Sequence, residues 1–204
     1  MEWFDNKAIT KFTTIDSNYM IFEELAIPNV FLIKNSTHTD QRGSFTRSFC
    51  SKEFLKNGLM SKIAQGNIST NTVVRTLRGF HYQKFPYQES KVISCISGAI
   101  HNVVIDLRPN STTFLKHIFF VLDQSDRISL HIPAGCANAW ITLKDNTILH
   151  YYMSDFYKPD FSFGIRWNDP FFKINWPIEP VIISNKDQSY EDFNLEKFMK
   201  SGAV

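Results

Sequence analysis

From Ile63 to Leu149 the chain repeats one pattern, a short apolar or alternating run followed by residues that turn the backbone. Lys91 to Ile96 and Ala99 to Leu107 flank Ser97-Gly98, a hairpin signal, and Arg108-Pro109-Asn110-Ser111 supplies the next turn. His117 to Leu122 and Ile128 to Ile132 follow, then the turn Pro133-Ala134-Gly135, then Cys136 to Leu143. Asp145-Asn146 leads into Ile148 to Met153. Runs this short, interrupted at such regular intervals, predict an all-β antiparallel sandwich or barrel.

The flanks add a few elements. Pro28 opens Val30-Phe31-Leu32-Ile33, a first strand. Asp40-Gln41-Arg42-Gly43 reads as a polar turn before Ser44 to Phe49, whose alternation sets Phe45, Arg47 and Phe49 on one face. Ser51 is placed to cap a short helix over Lys52 to Asn57 that ends at Gly58. Residues 1–26 lack a clear period and read as an irregular N-terminal arm. After Pro177 come a polar loop and a terminal helix over Tyr190 to Lys200, with Leu195, Phe198 and Met199 as its apolar stripe. At 204 residues, without repeat, linker or low-complexity tract, the chain 1–204 reads as one domain.

Inside the strand pattern, Leu77-Arg78-Gly79-Phe80-His81-Tyr82-Gln83 joins a fixed cation, a permissive glycine and an imidazole. As a strand it points Arg78, Phe80 and Tyr82 to one face and Leu77, Gly79, His81 and Gln83 to the other. The same parity continues through Glu89 to Lys91, although Pro86 favours a turn there. Taken alone, His81 fits an ordinary hydrogen-bonded sheet histidine equally well.

Composition narrows the classes of function. Lys+Arg 22 against Asp+Glu 20 leaves a net charge of +2, too balanced for a nucleic-acid surface that works by counterion release. An anionic ligand must therefore be held locally. The 15% aromatic content, with 19 Phe, suits a β-rich chain with a ring-lined cavity. Cys50, Cys95 and Cys136 form neither a C-x-x-C pair nor a disulfide framework and read as reduced core thiols. The start Met1-Glu2-Trp3-Phe4-Asp5 lacks a basic region followed by an apolar run, and no stretch approaches about 18 apolar residues. The expectation is a soluble cytoplasmic protein without a membrane partner.

His38, His81, His101, His117, His131 and His150 include no pair in H-x-H or H-x-x-x-H spacing, so no metal site is predicted. There is no G-x-S-x-G elbow, no cysteine beside a plausible base and no G-x-x-x-x-G-K phosphate loop. What remains is His81, Lys91, several arginines, Tyr151, Tyr152, Tyr157 and Asp169, an inventory that suits proton transfer next to a carbonyl.

Several motifs occur in order: Asp40-x-Arg42-Gly43-x-Phe45, Gln65-x-Asn67-x-Ser69, Leu77 to Gln83, Asp106-Leu107-Arg108, Ile132-Pro133-Ala134-Gly135, and Ile165-Arg166-Trp167-Asn168-Asp169-Pro170. Together, over about Pro28 to Asp187, they resemble the dTDP-4-dehydrorhamnose 3,5-epimerase family. The resemblance implies a cupin-type jelly roll (double-stranded β-helix) with short flanking helices, usually a homodimer. It implies work without metal or redox cofactor on a nucleotide-diphosphate 4-keto-6-deoxy sugar. Position by position it makes His81 the general base, Asp169 the carboxylate that orients it, Lys91 the stabiliser of the enolate oxygen and Tyr151 the acid on the opposite face. It makes Arg42 and Arg78 the diphosphate clamps, puts Phe45, Gln65 and Asn67 at the nucleotide base, and puts Tyr157 and Trp167 in the pocket wall. The chemistry is coherent: abstracting a proton α to a ketone builds charge on the carbonyl oxygen, which an ammonium relieves. Inversion then needs a second acid on the other face.

Two departures stand out. Where the family usually reads Gly-Phe-Ala-His-Gly-Phe, this chain reads Gly135-Cys136-Ala137-Asn138-Ala139-Trp140, so Asn138 takes the place of a site histidine and cannot carry a titrating proton. Where the family usually has glutamate after Arg-Gly-x-Phe-x, this chain has Arg47, which donates where the family accepts from thymine. Cytosine offers acceptors there, so the changed site suits CDP better than dTDP. The expected function is epimerisation at C5, C3 or both, in deoxysugar synthesis for surface polysaccharide such as the O-antigen of lipopolysaccharide. The alternatives are a 3,4-ketoisomerase of a nucleotide-linked keto sugar and a non-catalytic sugar-nucleotide binding module.

Overall fold

In the computed structural model, which describes residues 19–202, the repeated runs become strands close to where the pattern puts them. The chain begins with β1 (Ile21–Glu24), β2 (Phe31–Lys34), β3 (Ser36–Asp40) and β4 (Gly43–Arg47), then a short helix α1 (Ser51–Lys56). The central segment supplies β5 (Gln65–Asn71), β6 (Thr76–Gln83), β7 (Lys91–Ser97) and β8 (Ala99–Asp106). It continues with β9 (His117–Asp123), β10 (Ile128–Ile132), β11 (Cys136–Thr142) and β12 (Thr147–Met153). After it come β13 (Ser162–Gly164), β14 (Ile182–Ile183), α2 (Asn185–Gln188) and α3 (Leu195–Lys200).

One sheet runs β1-β2-β10-β7-β12-β5 and the other β13-β6-β11-β8-β9, with β14 beside β6; β3 and β4 pair with each other. The two large sheets pack face to face as a jelly roll. Leu32, Ile93, Leu130 and Leu149 from the first meet Ile100, Val104, Leu122 and Trp140 from the second. Strand β8 shows why its sequence reads as an apolar run rather than an alternation. Ile100 and Val104 face this inter-sheet core, while Val103 and Ile105 face a second one closed by Phe172 and Phe198. The first sheet is covered on its outer face by α1, whose Phe54 packs on Ile33 and Val92.

Three expectations change. The N-terminal arm lies largely outside the described residues, and within them β1 already starts at Ile21. Helix α1 is capped at Cys50 by backbone alone, and Ser51 is its first residue rather than its cap. The terminal helix is shorter than Tyr190 to Lys200. It starts after Asn194, whose side chain accepts from the Lys197 amide, and of its apolar residues Phe198 is buried while Leu195 and Met199 remain exposed.

Two histidines link this packing to pH. His101, stacked on Phe119, and His131, whose Nδ1 donates to the Asn29 carbonyl, are both buried, and the Nε2 of each has no partner among the described residues. Burial pushes both imidazoles down to about 4 from the ordinary 6.5. A base whose folded value is depressed binds its proton more readily when unfolded, so its contribution is complete above pH 6.5 and drains away towards pH 4. Thermal unfolding from pH 8 to pH 4 is expected to show a plateau and then a falling Tm from about pH 6.5. Substituting both histidines by glutamine should flatten that limb, and an unchanged limb in the double variant would refute the assignment.

Candidate active site

The site is built from strands of both sheets at one end of the roll. On β6 the register against β11 shifts: His81 pairs with Asn138 and Arg78 with Trp140, so Gly79 and Phe80 together oppose Ala139. This bulge turns Arg78 to the same inner face as His81, where unbroken alternation would have sent it outward. Gly79 permits it, because a side chain there would lie 2.5 Å from the Asn138 carbonyl and its φ is +105°. Across from β6, Lys91 on β7 and Tyr151 on β12 follow strict alternation, with Tyr151 paired to Ile93 on the inner face. Tyr152 points outward, where its hydroxyl meets Ser48.

These side chains surround a cavity of about 420 Å³ lined by His81, Arg78, Lys91, Tyr151, Glu89 and Asp187, with Tyr157 and Lys186 among the residues completing its wall. The carboxylate behind His81 is Asp187. Its Oδ1 lies 2.7 Å from His81 Nε2 and its Oδ2 accepts from the Gly79 amide at 3.1 Å. A carboxylate can only accept, so Nε2 carries a proton, and in the neutral ring the lone pair is then on Nδ1. Burial pushes the Asp187 carboxyl up, but the His81, Gly79 and Ser184 hydrogen bonds together hold it below the ordinary carboxylate range. Burial pushes the Tyr151 phenol up, helped by the charge of Glu89 and opposed by Arg78, so it carries its proton at neutral pH.

Asp169 is not in this arrangement. It is 1% exposed, and its two oxygens accept from the backbone amides of Phe171 at 2.8 Å and Phe193 at 2.6 Å, which ties the C-terminal segment to the turn before it. The expectation that it orients His81 is therefore corrected, and Asp187 holds that place. Asp187 was read as part of a polar loop. The signal for it was present in Ser184-x-x-Asp187, since the Ser184 hydroxyl accepts from the Asp187 amide and starts α2.

Of the residues expected to bind substrate, Arg78 and Tyr157 line the cavity, and Arg78 Nε donates to Asn71 at 2.9 Å. Gln65 and Asn67 sit on β5, paired with Met153 and Tyr151, so they share the inner face one strand beyond the cavity. Gln65 accepts from the Tyr157 amide, and the Asn67 amide nitrogen is buried without a partner among the described residues. Asn138 lies under the site rather than in it, 2% exposed, donating to Asn102 Oδ1 at 2.7 Å. Trp167 also stands outside the lining, its carbonyl accepting from Trp176. Arg42 and Phe45 project from the β3–β4 hairpin into solvent, the Arg42 side chain 85% exposed and paired with Asp40, and Arg47 is paired with Glu53 at 3.0 Å. None of these three lines the chain's own cavity. Among the described residues no group of three His, Cys, Asp or Glu side chains is placed to hold a metal ion.

Residues 24–194 match the family described as dTDP-4-dehydrorhamnose 3,5-epimerase. The chain belongs to that family. A dTDP-4-dehydrorhamnose 3,5-epimerase of Sinorhizobium fredii is 35% identical over 178 residues, covering 87% of this chain and 90% of the relative. The Bacillus anthracis dTDP-4-dehydrorhamnose 3,5-epimerase, solved with TDP and PPi bound, superposes with a TM-score of 0.83 at 32% identity, covering 86% of this chain and 100% of the other. The Legionella pneumophila 3,5-epimerase, in complex with dTDP-4-keto-L-rhamnose, superposes with a TM-score of 0.82 at 29% identity, covering 88% and 97%. The fold is accordingly the family's cupin-type jelly roll, and the chain is a sugar-nucleotide epimerase.

Proposed function

We propose that this epimerase inverts C5, C3 or both in a nucleotide-diphosphate 4-keto-6-deoxy sugar, with His81 as base, Asp187 behind it, Lys91 at the ketone oxygen and Tyr151 as the returning acid. One observation carries the reading: His81 on one sheet, backed by Asp187 of α2, faces Lys91 and Tyr151 on the other across the same cavity. A sugar ring between them has a base on one side and a protonated phenol on the other, which is what inversion requires. As His81 Nδ1 takes the α proton, charge moves to the carbonyl oxygen, where an ammonium stabilises it. Arg78 and Lys186 supply positive charge for a diphosphate, and Gln65 and Asn67 extend the inner face for the nucleoside.

In this reading the chain acts as one domain and as a homodimer. The support is that Arg42 and Phe45, which the family resemblance places at the ligand, are presented outward on the β3–β4 hairpin, away from the chain's own cavity. It works in the cytoplasm, in keeping with its three free cysteines, and feeds a deoxysugar to surface polysaccharide. No helix among the described residues is long and apolar enough to cross a membrane.

The test is incubation with 4-keto-6-deoxyhexoses linked to thymidine or cytidine diphosphate in deuterated water, read by NMR. Deuterium is expected at C5, C3 or both, with inversion, and Arg47 leads us to expect the cytidine sugar to bind more tightly. Absence of label from every substrate would refute the epimerase reading.

A further inference from the structure

Glu89 has so far entered only through its charge beside Tyr151, yet it stands inside the site. It lines the same cavity as His81, Lys91 and Tyr151, is 6% exposed, and its Oε1 lies 2.5 Å from Lys91 Nζ. Its other oxygen, Oε2, is buried and has no hydrogen-bond partner among the described residues. A carboxylate satisfied on one side only is a poor device for stability, because burial removes hydration that a single ion pair does not replace. Lysine, in turn, carries a compact charge on a flexible stem and does not fix its own position. Of the two carboxylates that line the cavity, Asp187 is committed to His81 and Gly79, which leaves Glu89 to hold the ammonium.

We propose that Glu89 is a positioning residue for the epimerisation, holding the Lys91 ammonium at the one point of the wall where the developing enolate oxygen meets it. This rests on the proton-transfer reading above. The enolate must share Lys91 with Glu89, so the arrangement favours a charge that arises only during the reaction over an anion already present in the substrate.

The test measures deuterium exchange into a thymidine or cytidine diphosphate 4-keto-6-deoxyhexose by the full-length chain and its variants. E89Q keeps the shape and one acceptor for Lys91 but removes the charge. It should lower kcat on the order of 10²-fold, the size of effect that misplacing a catalytic group by about 1 Å can produce, with KM and Tm close to wild type. E89D should recover part of the loss. E89A should also lose Tm, which is why E89Q is the deciding variant. The double variant E89Q/K91A should be no slower than K91A, because Glu89 acts through Lys91. Wild-type kcat in E89Q, or additive losses in the double variant, would overturn the proposal while leaving the epimerase reading intact. A wild-type protein that exchanges nothing overturns both.

Discussion

His81→Ala is expected to reduce deuterium exchange at the substrate carbons to background, a loss of roughly 10⁴-fold, while nucleotide affinity measured by calorimetry stays within a few-fold of wild type. The carboxylates then separate position from chemistry. Asp187→Asn keeps the volume but lets an amide N–H face His81 Nε2, which moves the ring proton to Nδ1 and removes the lone pair that should take the α proton. A fall of roughly 10²-fold or more in kcat is expected, with little change in fold. Asp169→Asn should behave in the opposite way. Its oxygens hold two backbone amides and touch no part of the cavity, so the expected change is a loss of about 1–3 kcal/mol in stability with normal exchange in the folded fraction. If Asp169→Asn lost activity without losing stability, or Asp187→Asn kept it, the dyad would be wrongly drawn.

That exchange of one aspartate for another marks the limit of what the sequence made legible. The strands from β6 to β12 were readable because their apolar runs and turns are local, and Lys91 and Tyr151 follow from simple alternation on two of them. His81 was readable from its motif. Asp187 was not, because it reaches His81 across 106 residues, and only the closing of the C-terminal segment over β6 brings the two together. Asp169 sat in a motif that carried the family resemblance, which made it the nearer candidate, although its work is to tie backbone. The inward turn of Arg78 depended on a bulge that alternation cannot register. Asn138, Gln65 and Asn67 were legible only through the family resemblance, as residues of the site. Whether they line the cavity, flank it or underlie it depends on packing between sheets, which no single strand encodes.

The hairpin carries the other large effect. Among the described residues β3–β4 pairs with no other strand, and it holds out Arg42 and Phe45. Among the described residues the first sheet ends at β5, the strand that bears Gln65 and Asn67, so in the proposed reading its edge lies beside the nucleoside. A twofold dimer would set the hairpin of each copy against the site of the other, each patch used twice. Arg42→Ala should then lower kcat/KM by roughly 10- to 100-fold, the scale of a charge-assisted hydrogen bond to the diphosphate. His81→Ala should be inactive. Co-expressed in equal amounts under two affinity tags, the variants should form mixed dimers in which one of the two sites has both an intact His81 and an intact partner hairpin. Statistical assembly puts about a quarter of all sites in that state, so exchange at low substrate should recover to about a quarter of wild type. Activity no greater than the sum of the two separate variants would show that each chain completes its own site.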